Sequence, residues 1–568
     1  DGEIVIAAPE GQRMQGRELI DLGAPEPPAP DSLDRDAPLG RVPMTAELRY
    51  AYEGARIDVS RSFAATEETY VEFTGRTESG DASDFDFHVT SRDWQESDKL
   101  LVGIMTAAGS PTRPVLVGGS GVFDGRMTGR IRSPRIDGQF SGRDLRAWDV
   151  TWGTAKTALT VEDSYVDIAD AEIEKDGARM RVAGRFSLGF PRRDGGEEIR
   201  ARIQMVDWPL RDLRHAFVLD EYPVEGPLSG DFQLQGDYTG PLGFGRLRLD
   251  NGVAYDEPFD TATSALRFDG RGVFLDDIVI AKKGGHVNGS AYVAWAGTYQ
   301  FKVEGRDIPV SSVYALTWEG VPLTGALRLV AEGNATFQAP RYDVRAAIDD
   351  LYVADEGIGQ VTAQLSIRDR QMYIDALEMA SSRLAVSGTG RMPFDDDADS
   401  DITLTFVNTS LDPYIRVYSP TFSPFTSMVG SGQLRFVGPF NDSSRLRGDL
   451  RIDALALRLI DYQLRNDEPL RLALGRDRLQ IDRMRLVGDG TRLDVVGDVD
   501  FGTERVSIRM IGDANLGLLQ GALTDVRASG AAEVSAEISG SWRSPVVGGS
   551  ALISDGRLRY AGMPHSLE

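Results

Sequence analysis

The residues in this sequence best suited to chemistry are its histidines and one aspartate-rich segment. Residues 395–401 contain five aspartates, which suit calcium, but the segment lacks the glycine and final glutamate of an EF-hand loop. The histidines are scattered, and no two of them have the spacing of metal ligands. We therefore expect no metal site, a solvated loop at 395–401, and surface or edge positions for His88, His215, His286 and His565.

Recognisable catalytic motifs are also missing from the sequence. The chain has no cysteine, so thiolate and disulfide chemistry are excluded. It contains no Walker loop, no Gly-x-Ser-x-Gly elbow and no dinucleotide fingerprint, and Gly243-Phe244-Gly245 lacks the third glycine of the last. We expect a protein that is not an enzyme and that uses no cofactor.

The charge and hydropathy of the chain restrict its partners. Its 87 acidic and 62 basic residues give a net charge of −25, whereas nucleic-acid binders normally show a basic surface. No run of about 18 apolar residues is present, and residues 1–7 do not resemble a signal peptide. Because residues 561–568 provide no closing element either, we expect a fragment of a longer protein.

Glycines recur with a period near 100 residues. The first set ends an apolar-x-Gly triplet, and its members are 99 to 109 residues apart: Gly75, Gly184, Gly289, Gly388 and Gly497. The second set opens alternating segments in the same order: Gly121, Gly230, Gly325, Gly432 and Gly530. A third feature places a proline five residues after a glycine, as in Gly129–Pro134, Gly236–Pro241 and Gly540–Pro545.

Two sets that share one period and one order predict an internal repeat. The predicted units are a partial first repeat with a proline-rich loop at 1–119, then repeats at 120–220, 221–320, 321–425 and 426–525, and a truncated repeat at 526–568.

Within each repeat, apolar residues alternate with polar ones over short runs that turn residues separate. This pattern is typical of antiparallel hairpins, and we expect seven or eight strands in each repeat. In residues 228–305 the alternation puts one apolar set on one face and Arg246, Arg248 and Arg267 on the other. Each repeat ends in a short segment, such as Asp207-Trp208-Pro209, Asp307-Ile308-Pro309 or Asp412-Pro413, that fits either an aspartate-capped helix or an irregular connector. Asp93-Trp94 marks the related point in the first unit, and Trp94 and Trp208 are expected to be packing residues.

The sequence thus predicts an all-β fold, a long continuous twisted antiparallel sheet with one apolar face. That face must be buried, by splitting into sandwiches, by closing into barrels, or by curling into an open trough that holds a ligand. Lipid chains suit a long aliphatic surface. The residues expected to line it are Phe232, Leu234, Leu247, Leu249, Leu266, Phe268, Ile278, Ile280, Leu327, Leu329, Ile402, Leu404, Phe406, Leu434, Phe436, Leu470, Leu472, Leu474, Leu493, Val495, Val506 and Ile508.

The repeats resemble those of TamB and the AsmA-like proteins of the bacterial envelope. The matching features are the Gly-to-Pro step, the segment Gly245-Arg246-Leu247-Arg248-Leu249-Asp250-Asn251-Gly252, and the closing Val-x-Gly strands, over roughly residues 40–568. The resemblance implies an open β-taco-like trough in the periplasm, with an anchor in the inner membrane outside this fragment. It implies that phospholipid moves toward the outer membrane through the trough, and it allows an outer-membrane β-barrel protein as a partner.

Two other functions fit the same pattern. The sheet edges could support the assembly of outer-membrane proteins and autotransporters, as a scaffold. Alternatively, the sheet could form a structural rod whose sealed core binds nothing. An open trough favours lipid conduction and a self-filled core favours the rod.

Overall fold

The structure is a computed structural model of the 568-residue chain. It describes residues 14–21, 45–107, 117–163, 165–188, 198–217, 219–220, 222–317, 322–354, 356–395, 397–412, 426–439, 445–459, 461–475, 477–518, 526–541 and 544–560. The proline-rich segment at 25–30 and His565 lie outside these ranges. The chain divides into two units: unit 1 comprises residues 1–282 and 288–296, and unit 2 comprises residues 283–287 and 297–568.

Unit 1 is built from strands and two helices, α1 (Trp94–Ala107) and α2 (Leu210–Ala216). Its strands are β1 (Met14–Asp21), β2 (Thr45–Glu53), β3 (Arg56–Ala65), β4 (Thr69–Glu78), β5 (Ala82–Ser91), β6 (Gly118–Arg130), β7 (Ser133–Ala147), β8 (Val150–Glu162), β9 (Tyr165–Lys175), β10 (Ala178–Ser187), β11 (Glu198–Pro209), β12 (Val224–Glu225), β13 (Pro227–Asp237), β14 (Leu242–Ala254), β15 (Glu257–Asp269) and β16 (Gly272–Lys282). Strand β17 (Gly285–Ala294) has residues in both units.

Unit 2 has three short 3-10 helices, η1 (Val310–Ser312), η2 (Tyr314–Leu316) and η3 (Leu516–Leu518). Its strands are β18 (Thr298–Pro309), β19 (Leu323–Thr336), β20 (Tyr342–Val353), β21 (Glu356–Arg368), β22 (Gln371–Ala380), β23 (Ala385–Pro393), β24 (Ser400–Ser410), β25 (Thr426–Gly438), β26 (Arg447–Leu459), β27 (Tyr462–Asn466), β28 (Leu470–Gly475), β29 (Arg478–Gly488), β30 (Thr491–Asp500), β31 (Arg505–Asn515), β32 (Val526–Ser541) and β33 (Ser544–Tyr560).

The prediction of an all-β antiparallel fold is confirmed. In each unit the strands form one continuous antiparallel sheet, and strands that are neighbours in sequence generally pair with each other. The exceptions are at β12 and β27, which are short strands: β11 pairs with β13 and β12 with β14, while β26 pairs with β28 and β27 with β29. Antiparallel hairpins need only short turns, which is why few helical connections are required. The curling of the sheet into an open trough stays a prediction.

Six or seven strands separate successive connectors, where seven or eight were expected. Six lie between α1 and α2 (β6 to β11) and between η2 and Leu411 (β19 to β24), whereas seven lie between Leu411 and η3 (β25 to β31). The number is at or below the low end of the expectation because most of these strands are long. Many contain 10 to 15 residues, as β10 and β7 do, whereas strands of five or six residues are the most common.

Of the two structures that fit the segments at Asp207 and Asp307, the aspartate-capped helix is not the one formed. Both residues have positive φ angles, 54° and 55°, and lie where the strand register shifts by a bulge just before a proline. The residue before α2 is Pro209, and it makes no side-chain cap. At the related point before α1, the Oδ1 of Asp93 accepts a hydrogen bond from the Gln95 amide at 3.1 Å, as a capping aspartate does. The segment after Asp412 lies outside the described residues.

The Gly-to-Pro step forms a tight hairpin turn. Gly129 and Pro134 are direct partners across the turn between β6 and β7, and Gly540 and Pro545 are partners between β32 and β33. Both glycines have positive φ angles, 88° and 93°, which a residue with a Cβ adopts only with strain. This explains why glycine recurs at the point where the repeat turns.

Candidate functional site

The eight lining residues predicted in unit 1 share one face of the sheet. Strand register places Phe232 opposite Gly245, and Gly245 opposite Leu266. Residues two apart on one strand point the same way, so Leu234, Leu247, Leu249 and Phe268 lie on that face as well. Ile280 lies opposite Ala262 on the same face, and Ile278 is two residues before it. The opposite face carries Arg246, Arg248 and Arg267, as their alternation predicts.

The fourteen residues predicted in unit 2 likewise share one face there. Leu404 lies opposite Leu434, Leu434 opposite Leu450, and Leu450 opposite Leu472. The remaining members occur at two-residue intervals along the same strands or along strands paired with them: Leu327, Leu329, Ile402, Phe406, Phe436, Leu470, Leu474, Leu493, Val495, Val506 and Ile508.

In unit 2 this face contains an unbroken row of apolar residues and glycines that crosses fifteen strands, from β18 to β33. Each member is the direct register partner of the next, and none is charged or polar. The row, which we call the apolar strip of unit 2, is Gly305, Leu329, Ala346, Ala363, Leu377, Gly388, Leu404, Leu434, Leu450, Leu472, Ile481, Gly497, Ile508, Ile538 and Val547.

Unit 1 contains a corresponding row across twelve strands, from β4 to β16. This apolar strip of unit 1 is Phe73, Phe87, Gly125, Gly138, Leu159, Ile168, Gly184, Ala201, Leu234, Gly243, Phe268 and Val273. Sequence reasoning missed its first half, because glycines replace aliphatic residues there and weaken the alternation. Counting a glycine as an inward position would have revealed it.

Aromatic rings lie over the glycines of the unit 1 strip. A Cβ on Gly125 would be 2.6 Å from ring atoms of both Phe123 and Phe87, and one on Gly138 would be 2.4 Å from Phe123. The rings of Phe87 and Phe123 are themselves in contact, with centroids 5.6 Å apart. The glycines therefore let large rings lie flat on the sheet, which keeps this surface shallow and apolar.

Two of the glycines that mark the predicted repeat, Gly184 and Gly497, have a φ angle of 150°. A Cβ on Gly184 would be 2.0 Å from the carbonyl oxygen of Arg200, and one on Gly497 would be 2.1 Å from that of Ser507. Real Cβ atoms do not approach backbone oxygens so closely, so a side chain at either position would force the strands apart. A steric need for glycine therefore recurs at these two positions.

Most of the predicted lining residues are only half-buried. Nine of the twenty-two are buried, among them Leu470 at 2% exposure, and the other thirteen are intermediate. A sealed core of this size would bury nearly all of them. An apolar surface that is partly covered fits a site that a ligand completes.

The helical segments that connect groups of strands pack on this face near one end of the strands. In unit 1, α2 packs there through Leu210 and Leu213 against a buried cluster that contains Trp208, Met205 and Leu228. The Trp208 side chain is 0% exposed and stacks on Trp152 at a centroid distance of 5.9 Å. In unit 2, Val310 of η1 and Leu516 of η3 belong to similar clusters. As expected, Trp208 is a packing residue; the indole nitrogens of Trp208 and Trp94 have no hydrogen-bond partner in the described structure.

The opposite side of the sheet, here called the charged face, is covered with arginine–carboxylate pairs. Arg435 contacts Asp401 through two hydrogen bonds of 2.9 and 2.8 Å, and Arg485 contacts Asp494 at 2.8 and 3.0 Å. The hydrogen bond from each arginine holds the pKa of its aspartate below the usual range. These pairs are exposed and salt-screened, so they contribute solubility more than stability.

A cavity with a volume of about 1520 Å³ lies on the charged face of unit 1. Its charged lining consists of four aspartates and four arginines, which cancel: Asp86, Asp124, Asp137, Asp167, Arg126, Arg185, Arg200 and Arg202. The cavity therefore has no preference for one sign of charge. Leu159, Ile168, Ala201 and Leu234 of the unit 1 strip also contribute to its lining.

The groups first considered for metal chemistry are dispersed, and the part of the chain that the structure describes holds no cluster suited to a metal ion. His88 faces Asp124 at 2.5 Å and His215 faces Asp220 at 2.8 Å, each as an exposed pair. Asp401 and Asp397 of the acidic segment contact Arg435 and Arg445 instead of one another.

No protein-family model and no curated protein matches the sequence. Within the described residues, neither helix has the length and apolar character needed to span a bilayer.

Proposed function

We propose that the apolar strips bind the acyl chains of phospholipids and let them pass along the protein. The observation that carries this proposal is the row of fifteen direct register partners in unit 2, from Gly305 to Val547, in which every member is apolar or glycine. An acyl chain requires only a continuous apolar surface, which this row provides.

The length of the row suits chains placed end to end. Fifteen strands at about 4.8 Å spacing extend the unit 2 strip over roughly 70 Å. The hydrocarbon core of a bilayer, which accommodates two opposed acyl chains, is about 30 Å thick. The strip is therefore longer than one lipid requires, and several chains fit along it in series.

The composition of the row favours passage over storage. Pockets that hold one ligand normally place a few polar groups to fix its orientation. Leu404, Leu434, Leu450 and Leu472 lie side by side in the strip with no such group between them. Burial of an acyl chain on this surface is favourable by about 25 cal/mol per Å² of apolar area at every position, so the chain has no preferred binding position along the strip.

The cellular setting follows from the resemblance to TamB and AsmA-like proteins. We propose a periplasmic protein anchored in the inner membrane by a segment outside these residues, which conducts phospholipid toward the outer membrane during its biogenesis. An outer-membrane β-barrel protein is the partner proposed at the far end. The half-buried state of the strip supports this function over a structural rod with a sealed core.

The test is photocrosslinking in cells with a photoreactive amino acid at single positions. Probes at Leu404 and Leu472 should capture radiolabelled phospholipid. A probe at Arg471, which lies opposite Arg451 on the charged face, should capture none. Equal capture at all three positions, or capture at none of them, would contradict lipid conduction and favour the rod.

A further inference from the structure

A small pocket lies on the charged face of unit 1, beside the first residues of β9 and β11. Its volume is about 400 Å³, which is within the range of pockets that bind small molecules. The residues that line it include Tyr165, Arg185, Glu198, Arg200, Gln235 and Leu242. The last two and both arginines form one row of register partners across β10, β11, β13 and β14. The pocket is therefore framed by neighbouring strands of the sheet.

Two of the charged groups in this pocket are held by neighbouring side chains. Tyr165 is 6% exposed, and its hydroxyl donates a hydrogen bond of 2.7 Å to Oε2 of Glu198. The guanidinium of Arg185 lies 4.7 Å from the centre of the Tyr165 ring and donates two hydrogen bonds, of 2.9 and 3.0 Å, to Asp167. The pocket thus has a carboxylate in a fixed position, and the charge of Arg185 is already neutralised by Asp167.

Arg200 differs from Arg185 because no carboxylate of the described residues pairs with it. It lies directly opposite Arg185, and like charges in that arrangement destabilise a sheet. Its other register partner is Gln235, whose amide has no hydrogen-bond partner within the described ranges either. By contrast, Arg202, two residues further along β11 on the same face, contacts Asp231 at 2.9 Å. A guanidinium and an amide thus offer donors to the pocket, and an oxyanion is the group that accepts from both.

We propose that this pocket binds a free α-amino acid with an apolar side chain. Arg200 and Glu198 are two residues apart on β11, so an unpaired cation and a carboxylate lie on the same face of one strand. Glu198 would repel a simple anion and Arg200 would repel a simple cation, whereas a molecule with one carboxylate and one ammonium group satisfies both. The inference is independent of the proposed lipid function, because the pocket lies on the charged face.

Two further features select the amino acid among small zwitterions. A phosphomonoester carries about −1.5 to −2 charge at pH 7, which exceeds the single unpaired cation, whereas a carboxylate matches it. Leu242, the direct register partner of Gln235, is 47% exposed at the end of the row. Its side chain offers an apolar contact beside the charged groups, which favours a ligand with an apolar side chain.

The test is isothermal titration calorimetry of the protein with L-leucine. Two analogues each lack one of its charges: isocaproate has no ammonium group, and isopentylamine has no carboxylate. L-Leucine should bind saturably, and each analogue should bind at least about tenfold more weakly, because each loses a charge-assisted hydrogen bond. Isocaproate or isopentylamine binding as tightly as L-leucine would overturn the assignment of a zwitterion. Glycerophosphoethanolamine binding as tightly would overturn the assignment of an amino acid.

Substitutions within β11 place the binding in this pocket. Arg200→Gln and Glu198→Gln each remove one charge and should each weaken L-leucine binding at least about tenfold. Glutamine in place of Glu198 keeps an oxygen that can accept the hydrogen bond from Tyr165. Arg202→Gln is the control on the same strand and face, and it should leave the affinity unchanged. All three side chains are exposed, so circular dichroism should show an unaltered sheet. An equal loss of affinity in Arg202→Gln, or no saturable binding of L-leucine, would reject the site.

Discussion

Leu472 lies directly opposite Leu450 on one face of the unit 2 sheet, while its neighbour in sequence, Arg471, lies opposite Arg451 on the other face. Successive side chains of a strand alternate between faces, so one residue step separates an aliphatic row from a charged one. The leucine row is half-buried at this point and the arginine row is exposed. A pair of adjacent positions thus offers a matched test of the two faces.

Leu472→Asp should leave the sheet folded and reduce bound phospholipid more than tenfold. The carboxylate stays in water while the strip is empty, but each passing chain would have to desolvate it. Phospholipid that copurifies with the protein, measured by mass spectrometry beside circular dichroism, checks both statements.

Two controls accompany this substitution. Leu472→Met keeps an apolar lining and should retain the phospholipid, whereas Arg471→Asp lies between Arg451 and Arg483 and should change neither lipid nor fold. Loss of β structure in Leu472→Asp would mean that Leu472 belongs to a sealed core.

Alternation in the sequence was enough to predict the face of every lining residue, since side chains two residues apart on a strand point the same way. It could not predict the bulge at Asp207, because a left-handed residue inside a strand leaves no compositional signal beyond the aspartate itself. Nor could it place the connectors at the same set of strand ends. That placement needs an even number of full-length strand crossings between connectors, such as β6 to β11, whereas alternation predicted seven or eight.

Gly125→Ala should destabilise unit 1 by about 1–3 kcal/mol, the usual cost of overpacking. The new methyl group would meet the rings of Phe87 and Phe123 at 2.6 Å and would lift them off the sheet. Urea unfolding measures the change. Gly475→Ala, where no heavy atom lies within 4 Å of the added Cβ, is the control and should be neutral or slightly stabilising. Equal unfolding midpoints for the two variants would contradict the flat-ring arrangement.

Arg435→Gln should lower stability at pH 7 and have a much smaller effect at pH 2. The hydrogen bond from Arg435 lowers the pKa of Asp401 in the folded state. A carboxylate with a depressed folded pKa adds stability above its unfolded pKa of about 3.9, and the gain is lost as the pH falls through the folded value.

Urea midpoints at the two pH values check this dependence. The effect should be small, since the two side chains are 55% and 28% exposed. Arg345→Gln, on the same face but without an ion pair in the described part of unit 2, should show no pH-dependent difference. A destabilisation by Arg435→Gln that is as large at pH 2 as at pH 7 would show that packing of the arginine, not its charge, matters.

Trp208→Ala should destabilise unit 1 by about 3–5 kcal/mol, the range for removing a buried aromatic side chain. Trp208 is fully buried, stacks on Trp152, and joins α2 to the strands beneath it. Its loss would leave a cavity between α2 and the strands on which the helix packs. Trp148→Ala is the matched control, because Trp148 contacts the same Trp152 but is 71% exposed, and it should cost little. Urea unfolding monitored by near-ultraviolet circular dichroism suits the measurement. Five of the seven tryptophans belong to unit 1, so the aromatic signal reports mainly on that unit. If the two variants unfold at the same urea concentration, the buried Trp208 does not hold α2 on the sheet.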